Sequence, residues 1–187
     1  MPTLHAIDLV GDDRERAVPI VIDSFVGIYR WHAKRTLRRV SAARGALDAD
    51  RLVGVSMLED LAPGVGYVYY VAVLRDYRKH KVGTFLLDDA LTRFRNQRCE
   101  IVYAAAEEDN EASRALFTSR GFRLIDRDEL GYREGGLGAW GLRSKMMVVS
   151  GEILMGLRLN PPGTSVEPSP GRLGPGAPTG PAPRAPG

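Results

Sequence analysis

The sequence predicts an α/β fold in which a mixed central β-sheet is flanked by helices on both faces. Two strand-like runs, 52–58 and 66–74, are separated by a Pro63-Gly64 turn, which favours an antiparallel hairpin. Farther along the chain, strand-like and helix-like runs alternate, as they do where helices cross over between strands. A chain that combines hairpins with crossovers is expected to form a mixed sheet with helices on both sides.

The segment before the hairpin predicts a strand followed by one long helix. Residues 4–10 form a short apolar run of strand length. Asp12 or Asp13 can cap the helix, and Pro19 falls where a first turn tolerates proline. Apolar residues then recur near helical spacing, at Val18, Val21, Phe25, Ile28 and Trp31. The basic side chains of this segment are expected on its solvent-exposed face: Arg30, His32, Lys34, Arg35, Arg38 and Arg39.

The segment after the hairpin predicts two helices and several strands. One helix follows residue 84, with apolar side chains on one side: Phe85, Leu86, Leu87, Ala90, Leu91 and Phe94. A strand at 100–106 precedes a second helix, which Asn110 can cap and Gly121 can end. Strands are also predicted at 122–125 and 145–149. The apolar run 153–159 either packs on the sheet edge or mediates a homodimer.

Composition indicates one soluble domain, at 1–159, and a tail at 160–187. The tail is rich in proline and glycine and has almost no large apolar side chains, so we expect it to be disordered. No apolar run is long enough to span a bilayer, and the N-terminus lacks a secretion signal, which predicts a cytoplasmic protein. The lone cysteine, Cys99, is expected to be a small buried apolar residue rather than a nucleophile. The net charge of +3 comes from basic residues interleaved with acidic ones, which does not favour nucleic-acid binding.

The motif that carries most information is Tyr-Arg-Lys-His-Lys-Val-Gly-Thr, at residues 77–84. It follows the second strand of the hairpin and opens a helix, so backbone N–H groups and the positive end of the helix dipole meet there. Arg78, Lys79 and Lys81 add full positive charges. The motif therefore predicts a site for an anionic cofactor.

Three landmarks together resemble the GCN5-related N-acetyltransferase (GNAT) family over residues 4–149. The first is Val71-Ala72-Val73, and the second is the loop 78–83, where the family pattern is Gln or Arg, two residues, Gly, one residue, then Gly or Ala. Lys81 stands in place of the first glycine. We expect it to resist the left-handed conformation that glycine accepts freely, which would alter the geometry of the loop somewhat without preventing binding. The third landmark follows the family pattern of Asn, Ala, Leu-Tyr and Gly-Phe with Asn110, Ala112, Leu116, Phe117, Gly121 and Phe122.

The resemblance implies a GNAT-like fold and acetyl-CoA as the acyl donor. The loop would hold its pyrophosphate, through Arg78, Lys79, His80, Lys81, Val82, Gly83 and Thr84. The exposed backbone of Val71, Ala72 and Val73 would pair with the pantetheine arm, which Asn110 and Phe117 would approach. The implied reaction is direct attack of a primary amine, on a protein or a small molecule, within a ternary complex. A backbone N–H near Val73 would stabilise the oxyanion.

The sequence departs from the family pattern at its acid and base positions. Phe117 replaces the tyrosine that usually protonates the leaving thiolate. The glutamates that some members carry on two neighbouring strands are also missing, since Tyr67, Val68 and Ala105 occupy those regions. The remaining candidates for the base are Glu107 and Glu108, in an acidic cluster with Asp109 and Glu111 that either attracts a cationic amine or is a solvated loop.

Two other groups of residues have alternative interpretations. His80 is expected to contact the cofactor or to be exposed, rather than to act as a base. Tyr132 and Trp140, in a glycine-rich connection, either line the acceptor pocket or cap the edge of the core.

The main alternative to an enzyme is a non-catalytic domain that binds acyl-CoA as a sensor or interaction module. Phe117, Lys81 and the missing glutamates favour this interpretation. A basic nucleic-acid binder is a third hypothesis, which rests on net charge alone. Cofactor affinity separates the third from the first two, and turnover separates the first from the second.

Overall fold

The computed structural model describes residues 2–126, 141, 145–146 and 151–159. In this part of the chain, seven strands form one sheet in the order β1-β2-β3-β4-β5-β7-β6. The strands are β1 Leu4–Asp8, β2 Ala42–Asp48, β3 Arg51–Ala62, β4 Val65–Val73, β5 Ile101–Glu107, β6 Arg123–Leu124 and β7 Glu152–Arg158. The α-helices are α1 Val18–Ser24, α2 Gly27–Leu37, α3 Val82–Asn96 and α4 Glu111–Thr118, and two 3₁₀ segments lie at Gly11–Ala17 and Arg75–Tyr77.

The sheet is mixed, as the sequence predicts. Strands β1 to β4 form successive antiparallel pairs, and Gly64 makes the β3–β4 turn with a φ of +76°. Strand β5 is parallel to β4, because α3 crosses over between them. Strand β7 then pairs antiparallel with both β5 and β6.

Helices cover both faces of the sheet, which confirms the predicted architecture. Helices α3 and α4 pack on one face, where Leu87, Phe94 and Phe117 join a buried cluster with Leu58 and Val68. Helices α1 and α2 pack on the other face, in a cluster with Val55 and Met57. Because side chains alternate along a strand, β3 supplies both clusters from neighbouring positions.

Strand β4 separates from β5 partway along its length, and this opens the sheet. Residues Val65 to Val68 pair with Ile101 to Ala104, and no described residue of β5 pairs with β4 beyond that point. On the other side of β4, Met57 pairs with Tyr70 and Leu58 with Val68, so Tyr69 is an extra residue in a β-bulge. A bulge bends its strand and increases the local twist, which directs the end of β4 away from β5.

Two predictions about individual elements were wrong, and one strand was missed. The long helix that begins at Asp12 or Asp13 is instead a 3₁₀ segment followed by α1 and α2, with Phe25 and Val26 extended between the helices. Strand β2 was not predicted. Lys145 and Met146 are helical, so they do not begin a strand, and residues 147–149 lie outside the described residues.

The apolar run 153–159 lies within the sheet rather than at its edge. Strand β7 takes the place between β5 and β6, and Leu154 and Met155 are 8% and 3% exposed. Leu159 is also buried, and its N–H donates to Glu100 O at 2.8 Å. A homodimer contact through this run stays a prediction. Tyr132, Trp140 and the tail at 160–187 lie outside the described residues.

Cys99 is 5% exposed, as expected for a structural cysteine. Burial raises the pKa of its thiol, which keeps it protonated and unreactive near neutral pH. Among the described helices, none is long and apolar enough to cross a membrane.

Candidate active site at the opening between β4 and β5

The loop before α3 exposes a row of backbone amides at the start of the helix. Phe85 N is the first amide that bonds back along the helix, to Lys81 O at 2.9 Å. The amides of Val82, Gly83 and Thr84 therefore have no acceptor within the helix, and they lie at the positive end of its dipole. This arrangement suits a phosphate group.

Lys81 adopts the left-handed conformation that glycine would adopt freely, with φ 63° and ψ 12°. Lys79 is also left-handed, with φ 65°. Such a conformation costs a non-glycine residue about 1–2 kcal/mol. Lys81 thus adopts the left-handed conformation that it was expected to resist, and it adds a positive charge where the family pattern has glycine. Lys79, His80 and Lys81 are all exposed.

Arg78 holds the loop to the rest of the protein. Its Nε donates to Val73 O at 3.1 Å, and its Nη2 donates to Asp23 O at 3.1 Å. Asp23 also accepts a hydrogen bond from Arg75 N at 2.7 Å through its carboxylate. Arg78 was predicted as a cofactor contact. Its guanidinium links the loop to the end of β4 and to α1.

The three sequence landmarks meet beside Gly83. A Cβ atom at Gly83 would lie 3.5 Å from the Leu116 side chain on α4, 3.9 Å from Val73 and 4.0 Å from Val71. Val71, Ala72 and Val73 pair with β3 on one side, and on the other side they form the edge of β4 beyond the last pair with β5. An extended ligand can hydrogen-bond to such an edge as an added strand.

The two predicted cofactor residues on α4 have different surroundings. Asn110 caps the helix, as predicted, because its Oδ1 accepts a hydrogen bond from Ser113 N at 3.0 Å. The Phe117 side chain is 5% exposed and lies in the core, with its ring centroid 5.2 Å from that of Phe122.

The face opposite α3 and α4 carries an acidic cleft at the same opening. The cleft has a volume of about 580 Å³ and is lined by Tyr29, Glu107, Glu108, Asp109 and Gly151. Glu107 lies on the same face of β5 as Tyr103 and Ala105, because every second residue of a strand points to the same side. Tyr103 and Ala105 pack with the cluster that contains Tyr67 and Leu154. Glu107 and Glu108 thus lie where a second substrate can approach the opening from the side opposite α3 and α4.

Carboxylates dominate the electrostatics of the cleft. Glu107 and Glu152 lie directly opposite each other on β5 and β7. The pKa of Tyr29 is raised to about 12 by burial and by the nearby carboxylates of Glu152, Glu107 and Asp109. Burial, Glu152 and Tyr29 also raise the pKa of Tyr70, on β4. Such a cleft stabilises a cation.

Sequence reasoning did not identify Tyr29, His32, Tyr70 or Glu152 as parts of the site. His32 was assigned to the solvent-exposed face of a helix, yet its Nδ1 lies 3.1 Å from Tyr70 Oη. No motif marks these residues, because they come from α2, β4 and β7 and meet only when the sheet forms.

The comparisons agree with this geometry. The model of the acetyltransferase (GNAT) family matches residues 13–122, more than half of the chain. Among curated proteins, N-alpha-acetyltransferase 30 of Schizosaccharomyces pombe is 31% identical over 81 residues, which are 41% of this chain and 54% of that protein. The chain thus matches about half the length of that relative.

Solved structures show the same fold at low sequence identity. The ribosomal-protein-S18-alanine N-acetyltransferase from Escherichia coli superimposes with a TM-score of 0.64 at 17% identity, over 88% of this chain and 99% of that one. The PaiA N-acetyltransferase from Thermoplasma acidophilum, solved in complex with coenzyme A, gives 0.62 at 13% identity over 84% and 99%. With its fold, its loop and the family match in agreement, the chain belongs to the GNAT acetyltransferase family.

Proposed function

We propose that the protein transfers the acetyl group of acetyl-CoA to a primary amine by direct attack within a ternary complex. The observation that carries the proposal is the convergence of Gly83, Val73 and Leu116 on one face of an opening whose other face is an acidic cleft. The two faces suit two substrates of opposite charge, an anionic cofactor and a cationic amine. A single-substrate binding domain would have no need of the second face.

The cofactor is proposed to lie along the α3–α4 face. The amides of residues 82–84 and the charges of Lys79 and Lys81, with the exposed His80 side chain between them, would hold the pyrophosphate. The pantetheine arm would pair with the edge of β4 at 71–73 and pass Asn110, which places the thioester near the acidic cleft.

The acceptor is proposed to be an ammonium group that Glu107 and Glu108 attract into the cleft. Tyr29 lines the same cleft beside Glu107. We further propose that the amine is the N-terminal α-amino group of a polypeptide, since this is the amine named for both the yeast relative and the Escherichia coli enzyme. A small-molecule amine is the alternative. Action in the cytoplasm stays a prediction from sequence.

The first test is calorimetry with acetyl-CoA and with desulfo-CoA. Wild type is expected to bind both in the micromolar range. Gly83→Asp should abolish binding, because it places a carboxylate among the amides that face phosphate. Gly83→Asn is the matched control, since it has the same size without the charge and should lose much less affinity.

The second test is release of coenzyme A thiol from acetyl-CoA, in the presence of a pool of peptides with free α-amino groups or a pool of small amines. Amine-dependent release supports the transferase, and the pool that supports it identifies the acceptor class. Cofactor binding without release from either pool would instead favour the acyl-CoA sensor, which the core position of Phe117 supports. A protein that binds neither cofactor analogue would contradict both functions.

A further inference from the structure

His32 and Tyr70 form a hydrogen-bonded pair between α2 and β4. Tyr70 Oη lies 3.1 Å from His32 Nδ1, and Thr36 Oγ1 approaches the same nitrogen at 3.4 Å. Tyr70 follows the bulge at Tyr69, so it belongs to the part of β4 that has separated from β5. The pair therefore lies beside the opening where the two substrates would meet.

Tyr70 contacts His32 and lies on the face of the sheet that α1 and α2 cover. The edge of its ring packs against Phe25, with centroids 5.0 Å apart, which fixes the orientation of the ring. Its electrostatic surroundings include the charges of Glu152 on β7 and Glu107 on β5 and the Tyr29 and Tyr69 hydroxyls. The Tyr70 hydroxyl therefore lies near the cleft, whose lining includes Tyr29, and it contacts the imidazole.

The carboxylates of the cleft create a chemical problem for acetyl transfer. Glu107 and Glu152 stabilise an ammonium group, which favours binding but also raises the pKa of the bound amine. Only the neutral amine can attack a thioester. A separate group must therefore take the proton without adding negative charge to the cleft.

His32 has the protonation state that this role needs. Burial, followed by the positive charge of Arg35, lowers its pKa below the ordinary value of 6.5, so the ring is neutral at physiological pH. In the tautomer that carries its proton on Nε2, Nδ1 is an acceptor for the Tyr70 hydroxyl. The other groups close to the ring are Trp31 and Thr36, which do not titrate near neutral pH.

We propose that Tyr70 and His32 together accept the proton of the acceptor ammonium, a role that rests on the proposed acetyltransferase function. An N–H bond of the ammonium breaks as its proton moves to Tyr70 Oη, while the Tyr70 O–H proton moves to His32 Nδ1. Tyr70 stays neutral and His32 becomes an imidazolium, which later releases a proton to water. The free amine then attacks the thioester carbonyl and the C–N bond forms. The nitrogen loses its second proton to water as the C–S bond breaks, which leaves the amide and the thiolate. In this assignment Tyr70 is the catalytic residue and His32 acts through it.

The test compares His32→Asn and Tyr70→Phe with wild type, using a peptide that has a free α-amino group. Asparagine places Oδ1 near the position of Nδ1, so it can keep the hydrogen bond from Tyr70 but cannot take a proton. Both variants are expected to lose about 10²-fold in kcat/KM at pH 7. The matched control is His5→Gln, on the exposed part of β1.

The pH profile distinguishes proton transfer from a structural role. Wild-type kcat/KM should decrease only below pH 6.5, where His32 becomes protonated, and should not change with pH above that value. Both variants should instead rise about tenfold per pH unit until the α-amino group itself is neutral, near pH 8. The His5→Gln control should keep the wild-type profile. Calorimetry with desulfo-CoA and thermal unfolding check that each variant is folded.

Each outcome decides a different question. Variants that are slow but keep the shape of the wild-type profile would show that the pair is structural, and the proton-transfer role would be wrong. Variants that are as fast as wild type would also contradict it. In both cases the acetyltransferase function would stand, because wild type turns over. If wild type binds cofactor without turnover on any amine, the proposed function fails and this inference fails with it.

Discussion

In the proposed reaction, the identity of a single side chain, Phe117, affects how the thiolate would leave. The family resemblance implies a tyrosine hydroxyl here, whereas the phenylalanine ring packs in the core against Phe122. A positioned general acid contributes about 10²–10⁴-fold to a rate. A thiolate is a tolerable leaving group without one, since a thiol has a pKa of about 8.5. The substitution should therefore slow acetyl transfer without preventing it.

Phe117→Tyr is accordingly expected to increase the acetyl-transfer rate by at least about tenfold, because it restores a proton donor. The measurement is thiol release under single-turnover conditions, together with thermal unfolding. Phe122→Tyr is the matched control, since it adds the same hydroxyl to the neighbouring buried ring and should lower stability without raising the rate. An unchanged rate in Phe117→Tyr would show that protonation of the thiolate does not limit turnover.

Single residues also show what local sequence reports and what it misses. The loop motif is local in sequence, so Lys81 could be recognised at a glycine position. It was expected to resist the left-handed backbone, yet it adopts that backbone, with φ 63°. The partnership of His32 with Tyr70 joins residues 38 positions apart, and no local pattern reports such a contact.

Among the helices, α4 depends on its N-cap residue, Asn110, for stability and for the proposed cofactor contact. Asn110 Oδ1 caps the helix, which leaves the Nδ2 amide group to donate to a ligand. Asn110→Ala should cost about 1 kcal/mol of unfolding free energy and also weaken cofactor binding. Asn110→Asp keeps an oxygen for the cap but loses the donor, so it should retain stability and still bind acetyl-CoA more weakly.

Chemical denaturation and calorimetry separate these two roles. If Asn110→Asp binds acetyl-CoA as tightly as wild type, the amide makes no contact with the cofactor and the residue is only a cap. Equal stability of Asn110→Ala and wild type would contradict the cap itself.

The break between α1 and α2 shows how tertiary contacts override a local pattern. Apolar residues recur near helical spacing through this region, which predicted one helix. Phe25 and Val26 are nevertheless extended, and the Phe25 ring packs against Tyr70. Ile28 and Trp31, predicted to lie on the apolar face, are 72% and 58% exposed as a result. The contact of Phe25 with β4 breaks the helix, and Tyr29, just after the break, lines the cleft beside Glu107.

For the molecule as a whole, the domain is proposed to end at Leu159. The Leu159 side chain is buried, and its N–H bonds to Glu100 O, so the last strand is complete at this residue. Removal of residues 160–187 should shift the unfolding temperature by less than about 2 °C and leave cofactor affinity unchanged. Calorimetric melting and desulfo-CoA titration of the 1–159 chain test this.

A shorter chain that ends at Gly151 is the control for that experiment. It lacks β7, which lies between β5 and β6 and supplies Glu152 to the cleft, so it should not fold cooperatively. Loss of folding in the 1–159 chain would place the domain boundary beyond Leu159.

Local sequence determined the class of fold, the cofactor loop and the cap of α4, because each depends on residues that are close together in the chain. Each of these signals is a pattern of neighbouring residues: the apolar periodicity of one element, the Pro63-Gly64 turn, or the loop at 77–84. The tertiary structure decided the opening between β4 and β5 and the second face of the site. Those depend on the bulge at Tyr69, on the insertion of β7 between β5 and β6, and on the contact of α2 with β4. Long-range pairing brings Tyr29, Tyr70, Glu107 and Glu152 together, and their shared electrostatic field exists only once the sheet has formed.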